Sequence, residues 1–299
     1  MKDLGDLHYF LGIQATSTSA GLFLCQQKYL FDHLHRFSLS STNVVKTPSV
    51  SKTSSSIMDG DLLADPSTYR SMVGALQYLT MTRPDIAHSV HVVSQFMNAP
   101  RTAHLQPVKR IFHYLKGTQR YGLYLRVSSD CSLTVYTNAD WAGCRDSCRS
   151  TTGYAVFLGP NLISWRAKKQ PIVSRSSIEF EYRAVAYAVA ESVWLRQLLK
   201  DFGVFVPHPF KILCDNVSAI YLTANPILHK RTKHIDVDIL MLIIILFENG
   251  FCVAISLFYL FRLNINLKIS LPKASPPHVF SFFATICPWF PYVQIEGAY

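Results

Sequence analysis

The spacing of apolar residues changes part-way along this chain of 299 residues, and this change limits the fold more than any other feature. Between residues 68 and 118, apolar residues recur with the spacing of a helix face. Between 131 and 166 they alternate with polar residues, which predicts strands. A long amphipathic helix over 177–200 and a further strand over 210–214 follow. Helices after a run of strands indicate an α/β domain with a mixed sheet. The strands predicted in the alternating part are 131–137, 152–158 and 162–166.

Shorter elements are predicted on either side of these. Residues 4–31 alternate short apolar runs with turn residues, which predicts a hairpin with Gly21 near its turn. Residues 38–61 are rich in Ser, Thr, Asn and Lys, which predicts a surface linker. Further helices are predicted over 27–37, from about Val217 and from about Thr232.

Composition excludes a chain that is disordered throughout, since 49% of the residues are hydrophobic and only 16% are charged. The length suffices for two ordinary domains. The formal net charge of +10 favours anionic partners, such as nucleic acid or a membrane surface. Seven scattered cysteines, an odd number, fit a reduced intracellular protein of the cytoplasm or nucleus. Cys144 and Cys148 lack the second Cys or His pair that a zinc site needs.

The last part of the chain, residues 239–299, differs from everything before it. Apolar runs over 239–247 and 251–261 are separated by a polar triplet at 248–250. Together they are long enough for a membrane helix, which takes about 20 residues. A charge near the middle of such a helix costs roughly 2.5–3.5 kcal/mol, so a span over 239–261 is not favoured. The alternative is an unrelated apolar tail, produced by out-of-frame or intron-derived translation.

A series of motifs gives the chain a more specific resemblance, because their order and spacing agree as well as their residues. They are LGDLHYFLGI (4–13), YRSMVGALQYLTMTRPDIAHSV (69–90), HLQPVKRIFHYLKGTQRYGL (104–123), YTNADWAG (136–143), RSTTGY (149–154), SRSSIEFEYRAVA (174–186), CDNVSAIYL (214–222) and RTKHIDVD (231–238). Together they resemble the Pol polyprotein of copia-type LTR retrotransposons, a family of transposable elements. The resemblance covers about residues 1–238 and joins the end of a reverse transcriptase to a ribonuclease H domain.

This resemblance implies an α/β fold, namely a ribonuclease H-like mixed sheet with flanking helices that is truncated at its C-terminal end. A mainly helical remnant of the reverse transcriptase palm and connection is expected before it. The expected domains are the remnant at 1–125, an incomplete ribonuclease H-like domain at 126–238 and an unrelated tail at 239–299. The family's polymerase needs paired aspartates, which would lie upstream of Met1, and residues 1–60 contain no Asp-Asp pair. No polymerase activity is therefore expected.

Ribonuclease H domains of this family cut the RNA strand of an RNA–DNA hybrid with two Mg²⁺ or Mn²⁺ ions. Such hard ions need carboxylate oxygens, and the family supplies Asp, Glu, Asp and Asp in chain order. The first position falls at Asn138, which carries no charge. If the strand continued to Asp140, this carboxylate would share a face with Asn138 and could replace the missing ligand.

The second and third ligand positions fall at Glu181 and Asp215. Glu179 and Glu181 flank the apolar stripe of the long helix on opposite sides, so periodicity alone leaves the choice between them open. The family motif matches Glu181. Solvated charges are the alternative for both glutamates, and helix capping by Asp215 or Asn216 is the alternative at the third position. The fourth aspartate has no counterpart, because residues 239–299 contain no Asp.

The expected metal ligands are therefore Asn138, Glu181 and Asp215, with Glu181 and Asp215 as the catalytic residues. Because the chain supplies only half of the expected carboxylates, we expect weak binding of Mg²⁺ or Mn²⁺ and a catalytically impaired pseudoenzyme. Two alternatives stay open, namely residual metal-dependent ribonuclease H activity and a tail-anchored, membrane-associated protein. The expected partner is an RNA–DNA hybrid or other nucleic acid, weakly bound. The residues expected to contact its phosphates, unless they form a solvated edge, are Lys168, Lys169 and Arg175.

Overall fold

The computed structural model of the protein describes residues 8–49, 56–206 and 208–224. Within these ranges the chain is a mixed α/β protein with two four-stranded sheets. It divides into two compact units, the first running to Val127 and the second beginning at Ser128. The helix predicted from about Thr232, the end of the 1–238 resemblance and the tail over 239–299 lie outside the described residues.

The first unit contains an antiparallel sheet in the order β1-β2-β3-β4. The hairpin predicted over 4–31 is confirmed, since β2 and β3 pair from Gln14 with Cys25 to Thr18 with Gly21. Gly21 is required at this turn, because its φ is 154° and a Cβ there would collide with the carbonyl oxygen of Leu125. The strands are β1 (Tyr9–Phe10), β2 (Ile13–Thr18), β3 (Gly21–Cys25) and β4 (Leu123–Arg126).

Four α-helices form the apolar core of this unit, as the helical spacing predicted. Leu76, Ile111, Phe112 and Leu115 are almost fully buried in this core, and burying each contributes about 1.5–3 kcal/mol. The linker predicted over 38–61 contains no helix or strand in the part that the structure describes. The helices are α1 (Gln27–Arg36), α2 (Ser67–Leu79), α3 (Ala87–Ser94) and α4 (Leu105–Gly117).

A buried ion pair lies where proline interrupts the helical pattern. The guanidinium of Arg83 donates to both carboxylate oxygens of Asp85, at 2.9 and 2.7 Å. Arg83 also donates to the carbonyl oxygen of Thr118, at 2.9 Å, and the Tyr114 hydroxyl donates to Asp85, at 2.8 Å. The side chains of the pair are 3% and 1% exposed. This network holds the 3₁₀ turn Pro84–Ile86, which leads into α3, against the end of α4.

The second unit contains a mixed sheet in the order β7-β6-β5-β8, in which only β8 runs parallel to its neighbour. The predicted strands are confirmed, but their ends differ from those expected. The first begins at Leu133 and continues to Asp140, the third continues to Lys169, and the fourth is only Lys211–Leu213. The elements are β5 (Leu133–Asp140), β6 (Thr151–Leu158), β7 (Asn161–Lys169), α5 (Ser177–Asp201), β8 (Lys211–Leu213) and α6 (Val217–Ala224).

Helix α5 packs across β5 and β6 and carries the apolar stripe that the sequence predicted. Val185 and Val189 of this stripe share a core with Val135, Val156 and Ile212 of the sheet. The first turn of the helix is therefore brought over the end of β5, where the predicted site residues lie. None of the helices among the described residues is long and apolar enough to cross a membrane.

Candidate metal centre

The predicted ligand Glu181 lies in the second turn of α5 and is only 4% exposed. Its Oε1 accepts a hydrogen bond from the backbone N–H of Ala139, at 3.3 Å. Its Oε2 has no hydrogen-bond partner among the described residues. Burial raises the pKa of Glu181 to about 8, helped by the negative charges of Asp215 and Asp140 and opposed by the Ala139 amide. A buried acceptor in this state is placed to receive a proton or a cation.

Glu179 makes contacts that differ from those of Glu181. Its Oε2 accepts from the backbone N–H of Arg175, at 2.9 Å, and its Oε1 accepts from the Arg183 guanidinium, at 3.1 Å. Its backbone N–H donates to the hydroxyl of Ser176, which caps the helix. Glu179 therefore stabilises the start of α5, and neither glutamate is a solvated charge.

Asp215 lies just beyond β8, and the structure brings it to Glu181. Its neighbour Cys214 joins them, and one ligand atom from each of these three residues lies within 4.8 Å of the others. Asp215 is exposed, and desolvation by the surrounding protein raises its pKa. The capping bond at the start of α6 comes from Asn216, whose Oδ1 accepts from the N–H of Ala219 at 2.9 Å. Helix capping was the alternative role for Asp215 or Asn216, and Asn216 therefore has this role.

Asn138 lies on the inner strand β5, next to Ala139, whose N–H reaches Glu181. Strand β8 pairs in parallel with β5 as far as Tyr136 and Leu213, so Asn138 and Asp215 each lie two residues beyond the last paired residue of their segment. The Asn138 side chain is buried, and its Oδ1 accepts from the N–H of Ala139 at 2.7 Å. The amide oxygen at the expected first ligand position is therefore used by the backbone N–H of the next residue.

Asp140 lies in β5 and not in a loop, so the geometric condition for its sharing a face with Asn138 is met. One of its oxygens is already used, because Oδ1 accepts from the N–H of Thr151 at 2.6 Å. Gly143 lies so close to the other oxygen that a Cβ there would collide with it. Asp140 thus influences Glu181 through its charge, while its carboxylate is held by the turn between β5 and β6.

The donor set of the described residues does not fit a pair of Mg²⁺ ions. Only two carboxylates, Glu181 and Asp215, converge, and the third ligand atom near them is the Cys214 sulfur. Two Mg²⁺ ions require octahedral oxygen coordination and several anionic oxygens to offset their four positive charges. A single cation is the most that this arrangement is suited to hold.

The basic residues predicted to contact phosphates are not all brought together. Lys168 and Lys169 are the last two residues of β7, and because they are adjacent in a strand their side chains leave opposite faces of the sheet. Lys168 is exposed, whereas Lys169 donates to the sulfur of Cys144 at 3.5 Å. Arg175 is exposed just before α5.

Two residues important for the geometry were not predicted from the sequence. Cys214 was counted only among the scattered cysteines, although its position beside Asp215 at a strand end was a usable signal. Gln170 is buried, and its amide donates to the Thr152 hydroxyl and the Phe180 carbonyl, both at 2.9 Å. Because these bonds tie the chain before α5 to β6, Gln170 helps to position Glu181. Its sequence context carries no signal for this role.

Comparison with known proteins identifies relatives over most of the chain. It is 47% identical over 238 residues to the retrovirus-related Pol polyprotein from transposon RE1 of Arabidopsis thaliana. It is 39% identical over 248 residues to the corresponding polyprotein from transposon TNT 1-94 of Nicotiana tabacum. These matches cover 80% and 79% of the chain but only 16% and 18% of the polyproteins.

A shorter relative is covered almost in full. An uncharacterized mitochondrial protein of Arabidopsis thaliana is 48% identical over 194 residues, which are 65% of this chain and 80% of that protein. No protein-family model matches the chain. The agreement with several transposon polyproteins confirms the resemblance carried by the motifs. The chain therefore belongs to the retrovirus-related Pol polyproteins of copia-type retrotransposons and corresponds to part of such a polyprotein.

Proposed function

We propose that the second unit is a degenerate ribonuclease H-like module of Pol that binds RNA–DNA hybrids weakly and has lost most of its ability to cleave them. The observation that carries this proposal is the pairing of Glu181 with Asp215 beside an asparagine. Asn138 occupies the position at which the resemblance to this family implies a carboxylate, and its Oδ1 accepts from the backbone N–H of Ala139. The site therefore keeps two of the ancestral carboxylates, Glu181 and Asp215, but lacks the negative charge that cleavage needs at position 138.

The topology of the unit supports the ribonuclease H-like assignment. The family resemblance implies ligands from the first strand, the first long helix and the fourth strand of the domain. In this unit those elements are β5, α5 and β8, and β8, at the edge of the described sheet, pairs in parallel with β5. Glu181 and Asp215, which are distant in sequence, approach each other because β8 pairs beside β5, against which α5 packs.

Cleavage of an RNA–DNA hybrid by the whole chain, assayed with Mg²⁺ and with Mn²⁺, tests the proposal. The parent chain is expected to cleave at or near background. Asn138→Asp is expected to raise the rate roughly 10–100-fold, because an added charge beside a divalent ion is worth a few kcal/mol at an effective dielectric constant of about 20.

The control is the double variant Asn138→Asp, Glu181→Gln, which should return to the parental rate. Efficient cleavage by the parent chain that is lost in Glu181→Gln alone would contradict the proposal and establish an active enzyme. An Asn138→Asp variant that folds, binds hybrid and cleaves no faster than the parent would also contradict it, since the missing charge would then not be the limiting defect.

Residual cleavage by the parent chain is the second candidate function, and the extension of β5 to Asp140 favours it. Asp140 lies in the same strand as Asn138, and its charge helps to raise the pKa of Glu181; these two observations favour it as a substitute for the missing ligand. Asp140→Asn separates the two candidates. It abolishes any parental cleavage if Asp140 is a substitute ligand and leaves the background unchanged if it is not.

Hybrid binding is expected to weaken steeply with salt, because Lys168 and Arg175 are exposed cations near the start of α5 that would contact phosphates without reading sequence. Lys168→Ala is expected to reduce the slope of log affinity against log salt by about one. The matched control is Lys200→Ala, an exposed lysine at the far end of α5. Equal slopes for the two variants, measured by fluorescence anisotropy, would argue against this phosphate contact.

A further inference from the structure

We propose that Glu181, Cys214 and Asp215 form a binding site for a single borderline divalent cation, such as Zn²⁺ or Co²⁺, with the Cys214 thiolate as a ligand. The geometry carries this assignment, since one ligand atom of each residue lies within 4.8 Å of the other two. The inference goes beyond the proposed function and does not depend on it, because it concerns the affinity of the chain for a metal without nucleic acid.

The unpartnered oxygen of Glu181 is the second observation. Oε2 is buried, in a residue that is 4% exposed, and no hydrogen-bond donor reaches it within the described part of the chain. Buried side-chain oxygens are nearly always satisfied by a donor, a water molecule or an ion. One carboxylate oxygen of Glu181 lies within 4.8 Å of the Cys214 sulfur and of a carboxylate oxygen of Asp215. The same carboxylate keeps an oxygen without a donor, as expected of a metal ligand.

The local backbone explains how adjacent residues serve one site. Cys214 and Asp215 follow the last residue of β8, so the strict alternation of side chains in a strand no longer applies to them. Cys214 is 7% exposed and Asp215 is exposed. The cluster therefore combines a buried thiol with a carboxylate that is in contact with solvent.

The ligand types select the class of cation. Thiolate, carboxylate and a water molecule suit Zn²⁺ or Co²⁺, which accept sulfur and tetrahedral geometry with three protein ligands and an open position. Mg²⁺ instead requires near-octahedral oxygen coordination, which sulfur does not supply. Binding is balanced by loss of the thiol proton, so that Cys214–SH and M²⁺ give a Cys214 S–M bond and one H⁺ released to solvent.

Titration of the whole chain with Co²⁺ tests this site, because a cobalt–thiolate bond gives a charge-transfer absorption band that oxygen ligands do not give. We expect one equivalent of Co²⁺ to produce the band, Zn²⁺ to abolish it by displacement, and a large excess of Mg²⁺ to leave it unchanged. Cys214→Ser should remove the band. Glu181→Gln should keep the band but weaken Co²⁺ binding at least about tenfold, since a charged ligand is lost.

Alanine variants of the other cysteines are the matched controls, beginning with Cys25 and Cys131, which are free thiols outside the cluster. Circular dichroism of each variant checks that it folds, and Glu181→Gln tests the site if Cys214→Ser does not fold. A band that survives in Cys214→Ser would overturn the proposal, as would Mg²⁺ displacing Co²⁺ at equal concentration. Neither result bears on hybrid cleavage, so failure here is distinct from failure of the proposed function.

Discussion

Glu181→Gln is expected to stabilise the second unit increasingly as the pH rises, by on the order of 3–5 kcal/mol at about pH 9. Burial raises the pKa of Glu181 from its ordinary value of 4.5 to about 8. The folded state therefore holds a proton that the unfolded state releases over this range. Stability is highest below the unfolded pKa and falls as the pH rises towards the folded pKa, and the neutral glutamine removes this loss.

Urea unfolding at several pH values, with a chelator present, measures this effect. In a Trp289→Phe background, tryptophan fluorescence reports on the second unit, because Trp141, Trp165 and Trp194 belong to it and residues 1–127 contain no Trp. Glu179→Gln is the matched control, since it removes a buried partner of Arg183 and should destabilise the unit. Parallel stability curves for Glu181→Gln and the parent chain would show that Glu181 does not titrate abnormally.

Asp85→Asn is expected to lower the free energy of unfolding of the first unit by about 3–5 kcal/mol. The substitution keeps the size of the side chain but leaves the Arg83 guanidinium buried without its countercharge, in a pair whose side chains are 3% and 1% exposed. The Tyr114 hydroxyl also loses a charged acceptor. The expected loss from this one substitution is therefore a large fraction of the free energy of unfolding of an ordinary domain.

Hydrogen exchange followed by mass spectrometry measures this loss of stability and needs no fluorescent side chain in the first unit. Peptides covering 84–118 should exchange much faster in Asp85→Asn, because the network joins the start of α3 to the end of α4. Asp32→Asn provides the control, since Asp32 is exposed on α1 and surface substitutions usually change stability by less than about 0.5 kcal/mol. Equal exchange in both variants would mean that the buried pair contributes little.

Periodicity predicted the second unit well because its elements are regular and close in sequence. The strand alternation and the stripe of α5 follow directly from the sequence, and the stripe placed Glu179 and Glu181 on its two flanks. Periodicity could not choose between Glu179 and Glu181, because both are equally far from the centre of the stripe. The choice depends on Arg183, one helical turn after Glu179, whose guanidinium pairs with Glu179 and leaves Glu181 facing the sheet.

Other features escaped prediction because they depend on contacts between distant parts of the chain. Strand β4 has only four residues, and its partner β3 lies far back in the sequence, so neither length nor local pattern marks it. The end of β5 was placed too early, because Asp140 is a poor strand former and only pairing with Thr151 keeps it in the sheet. Cys214 joined the site only once β8 was placed beside β5.

The pairing of β3 with β4 delays completion of the first sheet during synthesis of the chain. Leu22 pairs with Leu125, so about a hundred residues must leave the ribosome before the sheet is closed, which takes roughly 5–20 s at ordinary rates of synthesis. During that interval the backbone of β3 is an open edge that another nascent chain could extend. Slow decoding before β4 would lengthen this exposure, and a chaperone that covers short apolar strands would shorten it.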